Sequence, residues 1–180
     1  MVFNNEFSVG DIIDFITLIT VIVGAIVSLV QYDKSTKLKR ADYINELTER
    51  IRTDKDISPC VYDIEYDEEW YDEDFHGSGE LERKFDKTLS YFSYICYLKK
   101  QEILTNDEFK FFQYEIDRIV TNSQVIDYFY NLYHFARQYE DPITFQYLFE
   151  YAETKCCFDE AFYDKESHQK NDKYHQYINI

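Results

Sequence analysis

Three side chains with metal-binding chemistry lie close together between positions 72 and 76. Asp72, Asp74 and His76, followed by Gly77, have the spacing of the first half of an EF-hand calcium loop. The twelfth position of such a loop needs a bidentate Glu, and in this chain it is Arg83. The motif is therefore incomplete, and we expect no metal site here.

The same part of the chain alternates acidic and aromatic side chains. Residues 60–80 hold nine Asp and Glu and no Lys or Arg. One interpretation is an acidic connecting loop that aromatic side chains anchor on the core. The alternative is a docking surface for a basic protein partner, for which the candidate residues are Trp70, Tyr71, Asp72, Asp74 and Phe75.

Catalytic motifs are missing from the sequence. It has no G-x-x-x-x-G-K-[ST] phosphate loop, no G-x-G-x-x-G, no H-E-x-x-H and no G-x-S-x-G. No two histidines have the spacing of metal ligands. The histidines are His76, His134, His168 and His175. The cysteines form no C-x-x-C pair and are expected to be reduced thiols; they are Cys60, Cys96, Cys156 and Cys157. We interpret Cys156 and Cys157 as small apolar fillers. We expect a protein that is not an enzyme and has no catalytic residue, cofactor or metal.

An uncharged stretch, residues 15–32 (FITLITVIVGAIVSLVQY), precedes all of these groups. As a helix it would span about 27 Å, close to the ~30 Å hydrocarbon core of a bilayer. The leader before it has no Lys or Arg and no small-residue cleavage pattern follows it, which argues against a signal peptide. A buried helix of a soluble domain usually has a polar face, and this stretch lacks one. We therefore predict a transmembrane helix in contact with membrane lipid.

The flanks of this helix predict its orientation. Basic side chains cluster at positions 34–40, whereas the residues before the helix are acidic. The positive-inside rule then places the N-terminus outside and the C-terminal part in the cytoplasm, at the inner membrane. Thr20, Gly24 and Ser28 lie four residues apart, so they share one helix face where a second helix can approach. One interpretation is helix packing at this face in a homo-oligomer; the alternative is that Gly, Ser and Thr are simply common in membrane helices.

The rest of the chain has the periodicity of amphipathic helices. Four Gly and two Pro in 180 residues also favour helices over a turn-rich sheet. We predict an all-α fold, in which a single N-terminal transmembrane helix continues into a cytoplasmic helical bundle. The predicted regions are an external tail with the transmembrane helix (1–32), a juxtamembrane helix (33–58), an acidic aromatic loop (59–80), a helical bundle (81–158) and a polar tail (159–180).

Local signals predict where helices of the bundle begin and end. Pro59 ends the juxtamembrane helix, because the residue before a proline is pushed out of helical geometry. Thr105 and Glu108 have the spacing of a capping box, which opens a helix. Asn122 breaks the pattern, and Asp141-Pro142 predicts the start of the last helix of the bundle, with Pro at its first position.

The net charge of −16 limits the partners. A strongly acidic chain is repelled by phosphate backbones, so we expect no binding of a nucleic-acid polymer. A small signalling nucleotide would need a local cationic pocket. The candidate side chains for such a pocket are Arg83, Lys84, Lys99, Lys100, Arg118 and Arg137.

Residues 70–148, about half of the chain, carry a resemblance. Trp70-Tyr71 with Phe75, FDKTLSYFSYICYL (85–98), ILTNDEFKFFQYEIDRIVTN (103–122), VIDYFYNLYHFAR and TFQYL resemble a group of small, uncharacterised bacterial proteins. In that group a hydrophobic N-terminal helix precedes an all-α cytoplasmic domain of unknown function. The resemblance implies an architecture and transfers no functional residue.

These observations predict a membrane-anchored, non-enzymatic interaction or regulatory protein of a bacterial cell. The alternative is a membrane effector of an anti-phage defence system. Its cytoplasmic domain would sense a signal such as a cyclic nucleotide, and its oligomerised membrane helices would disturb the bilayer.

Overall fold

The computed structural model describes residues 9–77, 79–170 and 173–178. Two compact units divide the chain, Met1–Glu46 and Leu47–Ile180. Helices and turns account for the regular structure of the described residues, and no strand occurs among them. The predicted all-α fold is therefore confirmed. Of the predicted external tail, residues 1–8 lie outside the described part of the chain.

The first helix, α1, runs from Val9 to Thr53 without a break. It joins the predicted transmembrane and juxtamembrane segments in one 45-residue helix. Between Ile12 and Thr53 it is long and apolar enough to cross a membrane, and none of its most apolar window is buried inside the protein. The structure therefore supplies one candidate membrane-spanning helix near the N-terminus.

A short second helix, α2 (Ile57–Glu65), corrects the predicted loop at 59–80, because its first residues are helical. Pro59 does not end a helix; it lies in the first turn of α2, where a missing backbone N–H costs nothing. The helix before it already stops at Thr53. The Asp54 carboxylate then accepts from the backbone N–H groups of Asp56 and Ile57, at 2.9 and 3.2 Å, and starts the new helix.

The remaining elements form the bundle of the second unit. They are α3 (Glu80–Lys100), α4 (Asn106–Thr121), α5 (Ser123–Tyr139), α6 (Gln146–Thr154), a 3-10 turn (Glu160–Tyr163) and α7 (Ser167–Lys170). Helix α3 is central and packs against α2, α4 and α6. Its inner face buries Phe85, Leu89, Phe92 and Ile95, which recur at three- and four-residue steps.

Two predicted helix boundaries are confirmed. The Thr105 hydroxyl accepts from the N–H of Glu108 at 3.3 Å, and the Glu108 carboxylate accepts from the N–H of Thr105 at 2.8 Å. Asn122 ends α4 and caps α5, because its side-chain oxygen accepts from the N–H groups of Gln124 and Val125. Short-range side-chain chemistry therefore sets both ends.

The predicted helix start at Asp141-Pro142 is wrong. The N–H of Asp141 donates to the carbonyl of Ala136 at 2.9 Å and completes the end of α5 instead. Helix α6 begins only at Gln146, after Phe145, which is buried and has a left-handed φ of 57°. A left-handed conformation is unfavourable for a bulky residue, so burial of the Phe145 ring has overridden the local signal.

The predicted polar tail is also corrected. Phe162 and Tyr174 are buried. Residues 173–178, here called the C-terminal strap, are hydrogen-bonded to α5. Asn131, a fully buried residue of α5, holds the strap: its Nδ2 donates to the His175 carbonyl at 2.7 Å. Its Oδ1 accepts from the N–H groups of Tyr177 and Ile178 at 2.9 and 3.2 Å. Positions 171, 172, 179 and 180 of the predicted polar tail lie outside the described residues.

Lys87 of α3 forms ion pairs with two carboxylates of the turn before α2. These pairs should make the stability of the fold depend on pH in the acid range. The Lys87 ammonium lies 2.8 Å from Asp54 and 2.7 Å from Asp56. Its hydrogen bond lowers the pKa of Asp54 from 3.8 to about 2 and lowers the pKa of Asp56 as well. Carboxylates with depressed pKa values stabilise the fold above their unfolded pKa, and this contribution disappears as pH falls through the folded pKa.

We therefore expect Lys87→Met to lower the melting temperature at neutral pH. The gap from the wild type should narrow as pH falls from about 4 to about 2, because the two carboxylates of the wild type take up protons over this range. Thermal melts by circular dichroism at a series of pH values measure this. Arg83→Met, an exposed change on the same helix, is the control. A gap that stays constant across this range would contradict the proposed linkage.

Candidate functional site

The aromatic members of the predicted docking set are part of the core. Trp70, Tyr71 and Phe75 are 5, 7 and 5% exposed. The Trp70 ring stacks on Phe85 with 3.8 Å between the ring centroids. This arrangement is the one that the anchored-loop interpretation predicts. Burial removes these three rings from contact with a partner and leaves Asp72 and Asp74 as the exposed members of the set.

One side chain of α5 fixes residues 66–77, here called the acidic segment. The Gln124 side-chain oxygen accepts from the N–H groups of Trp70 and Tyr71, at 2.7 and 2.9 Å. Its Nε2 donates to the carbonyl of Glu68 at 2.7 Å. Three backbone groups of an irregular segment are thus satisfied by a residue more than 50 positions away. No local signal in the sequence indicates this role for Gln124.

This anchoring creates a cleft of about 680 Å³ between the acidic segment, the start of α5 and the C-terminal strap. We call it the acidic cleft. Its charged and aromatic lining residues are Asp67, Glu69, Asp72, Asp127, Lys173, His175, Tyr71, Tyr174 and Tyr177. Carboxylates outnumber cations in this lining, so the cleft attracts positively charged groups. Tyr71 and Asp72 of the predicted docking set belong to it.

The inner part of the cleft is less polar than its rim. Burial raises the pKa of Asp127, although His175 Nδ1 lies 2.9 Å from its carboxylate. Burial also raises the pKa of Tyr71, whose hydroxyl lies 2.9 Å from His76 Nε2. Tyr71 therefore stays neutral at physiological pH. Carboxylates that accept from Arg or Lys, beside tyrosine rings that attract cations, support binding of a basic side chain.

The EF-hand-like spacing forms a turn. The N–H of Asp74 donates to the Asp72 carboxylate at 3.0 Å, and His76 Nδ1 lies 3.3 Å from Glu82. Among the described residues, no group of three or more His, Cys, Asp or Glu side chains is placed to hold a metal ion. The Asp72 carboxylate and the His76 ring are thus engaged with the protein's own chain.

The cysteines differ in their surroundings. All four are free thiols. Burial raises the pKa of Cys60 to about 11 and that of Cys96 to about 12. Cys157 is half-buried. Cys156 corrects the prediction, because it is exposed and has a left-handed φ of 55° just beyond the end of α6.

The six cations proposed for a nucleotide pocket do not converge. Arg83 and Lys84 lie at the start of α3 and Lys100 at its end, roughly 25 Å apart along the axis. Lys84 pairs with Glu80, and Lys100 pairs with a Glu of α6. A pocket built from all six is therefore excluded by their places in the fold.

The predicted packing face of α1 is available. The Thr20 and Ser28 hydroxyls donate to the carbonyls of Ile16 and Gly24, at 2.9 and 2.8 Å, so both are satisfied within the helix. A methyl group added at Gly24 would meet nothing within 4 Å. Packing of a second helix at this face stays a prediction.

Together, the fold and the cleft define an all-α protein with one helix long enough to span a membrane and an acidic cleft in its second unit. No protein-family model, curated protein or solved structure matches the chain. Its function is therefore argued from its own geometry.

Proposed function

We propose that this chain is a membrane-anchored, non-enzymatic interaction or regulatory protein of a bacterial cell, and that its acidic cleft binds a basic segment of a protein partner. In this proposal α1 lies in the inner membrane, with the N-terminus outside and the second unit in the cytoplasm. The acidic cleft is the observation that carries the proposal. The length and composition of α1, with the basic residues at 34–40, support the anchoring.

The chemistry of the cleft favours a basic peptide over other ligands. Asp67, Glu69 and Asp72 are exposed at its rim, so a Lys or Arg can pair with them while staying partly solvated. Inside, the half-buried Tyr177 offers its ring to the aliphatic part or the cation of the same side chain. Anionic ligands are disfavoured there by the surrounding carboxylates.

Site-specific photo-crosslinking in living cells tests the proposal. A photoreactive amino acid replaces Glu69 at the cleft or, as the control, Asp107, which is exposed on α4. We expect the full-length protein to capture one protein from position 69 and not from position 107. Adding Asp72→Lys to the Glu69 probe should reduce the capture by about fivefold, because it replaces an attraction by a repulsion at an exposed position where one ion pair is worth up to about 1 kcal/mol. Identical products at both positions, or capture that the charge reversal leaves unchanged, would reject the cleft as the binding site.

The membrane-effector alternative has one observation in its favour, the uncrowded small-residue face at Thr20, Gly24 and Ser28. Close helix approach there would support oligomers in the bilayer. Membrane potential distinguishes the two functions: induced expression of an effector dissipates it, and an interaction protein leaves it intact.

A further inference from the structure

A second concave site lies along the C-terminal half of α5. It is a depression of about 380 Å³, here called the α5 depression. Its lining residues are Tyr133, His134, Arg137, Gln138, Tyr163 and Lys165. This lining contains two cations and no Asp or Glu, in a chain whose net charge is −16. Its two cations suit an anion better than the acidic cleft does. Tyr133, Arg137 and Tyr163 also line a neighbouring depression that contains Asp141, Glu150 and Glu153, so the anion would lie on the side of Lys165.

Arg137 is held in place by its neighbours. Its Nε donates to the Tyr133 hydroxyl at 3.2 Å, and the guanidinium carbon lies 5.4 Å from the centre of the Tyr133 ring. That ring is itself parallel to Phe149, with 5.8 Å between the centroids. A guanidinium fixed in this way loses little conformational entropy when it binds a ligand.

The second cation is also ordered without an acidic partner. Lys165 donates to the side-chain oxygen of Gln138 at 3.1 Å. Among the described residues, neither Arg137 nor Lys165 has a carboxylate within ion-pair distance. The acids on either side of Lys165 in the chain, Asp164 and Glu166, both pair with Lys170.

His134 adds a hydrogen-bond acceptor to the depression. It is 5% exposed, and its Nε2 lies 3.0 Å from the carbonyl of Phe162. A carbonyl only accepts, so Nε2 carries the proton. Burial lowers the pKa of His134, which keeps the ring neutral at physiological pH and leaves Nδ1 as an acceptor. No described residue donates to Nδ1, so a ligand that satisfies it must bring its own donor.

We propose that the α5 depression binds a small phosphate or phosphate monoester. Its anionic oxygens pair with Arg137 and Lys165, and its P–O–H group, or a hydroxyl beside the phosphate, donates to Nδ1 of His134. The ring of Tyr163 covers one side of the ligand. Of the six cations predicted from the sequence for a nucleotide pocket, Arg137 alone takes part.

The experiment uses the full-length protein, labelled with ¹⁵N-histidine, in phosphatidylcholine nanodiscs. Inorganic phosphate and sulfate are titrated separately, and the imidazole nitrogen signals of His134 are followed by NMR. We expect a saturable shift with phosphate and at least about threefold weaker binding of sulfate, which has no O–H at neutral pH. The double variant Arg137→Gln/Lys165→Gln should bind phosphate at least about tenfold more weakly.

The matched control is Arg83→Gln/Lys55→Gln, which removes two exposed cations elsewhere and makes the same change in net charge. A second arm replaces part of the lipid with phosphatidic acid, whose headgroup is a phosphate monoester. A shift with free phosphate supports a soluble ligand, and a shift only with phosphatidic acid supports the same site with a lipid headgroup. The proposal is overturned by no saturable shift in either arm, by equal binding of sulfate, or by an equal loss in the control variant.

Discussion

Trp70→Ala is expected to lower the free energy of unfolding by about 3–5 kcal/mol, the range for truncation of a large buried aromatic residue. The Trp70 ring is 5% exposed and stacks on Phe85, with Phe75 and Tyr128 at its edges. Alanine would remove all of these contacts and leave a cavity where the acidic segment meets α3. Urea denaturation of the full-length protein in detergent, followed by far-ultraviolet circular dichroism, measures the loss.

Two further variants define the cause of this effect. Tyr66→Ala, at a residue that is 69% exposed in the same segment, should change stability by no more than about 0.5 kcal/mol. Trp70→Phe should cost much less than alanine. It keeps a stacked ring and removes the indole Nε1, a buried donor without a partner among the described residues. Equal losses for Trp70→Ala and Tyr66→Ala would show that the segment is not anchored by the tryptophan.

Asn131→Ala is expected to cost about 2–4 kcal/mol and to release the C-terminal strap. The change would leave the N–H groups of Tyr177 and Ile178 and the carbonyl of His175 without their partner, at about 1–3 kcal/mol for each polar group that remains buried. Water can reach part of the freed strap, so the total is smaller than the sum. Denaturation of the full-length protein measures the loss of stability.

Amide hydrogen exchange locates the effect of the same variant. The N–H groups of Tyr177 and Ile178 should lose protection, whereas the N–H of Phe109 in the first turn of α4 should keep it. Asn106→Ala, at an exposed residue of α4, is the control and should leave the strap protected. If the strap amides stay protected in Asn131→Ala, Asn131 does not hold the wall of the acidic cleft.

Prediction from the sequence is most accurate for helix boundaries that depend on short-range side-chain hydrogen bonds. The capping box at Thr105 and the Asn122 cap bond backbone groups two or three residues away, so their spacing alone predicts them. The start of α6 was missed because it depends on burial of Phe145 against other helices. Local turn and capping signals contain no information about that contact.

The sequence analysis singles out only some of the residues that line the acidic cleft, and it predicts no cleft. Tyr71 and Asp72 stood out because acids and aromatics alternate around them. Gln124 and Asp127 lie on a helix more than 50 residues later, and they look like ordinary helix-surface residues. Asn131 was missed for the same reason, because a buried amide that binds backbone groups 44–47 residues away leaves no periodic pattern.

The anchor of the acidic segment contains the only tryptophan of the chain. Its indole lies among aromatic rings and away from solvent, so the native emission should be blue-shifted and poorly quenched by iodide or acrylamide. Undocking of residues 66–77 would move the spectrum toward that of free indole in water. The unlabelled protein thus carries an optical reporter of whether the wall of its acidic cleft is in place, readable during any binding titration.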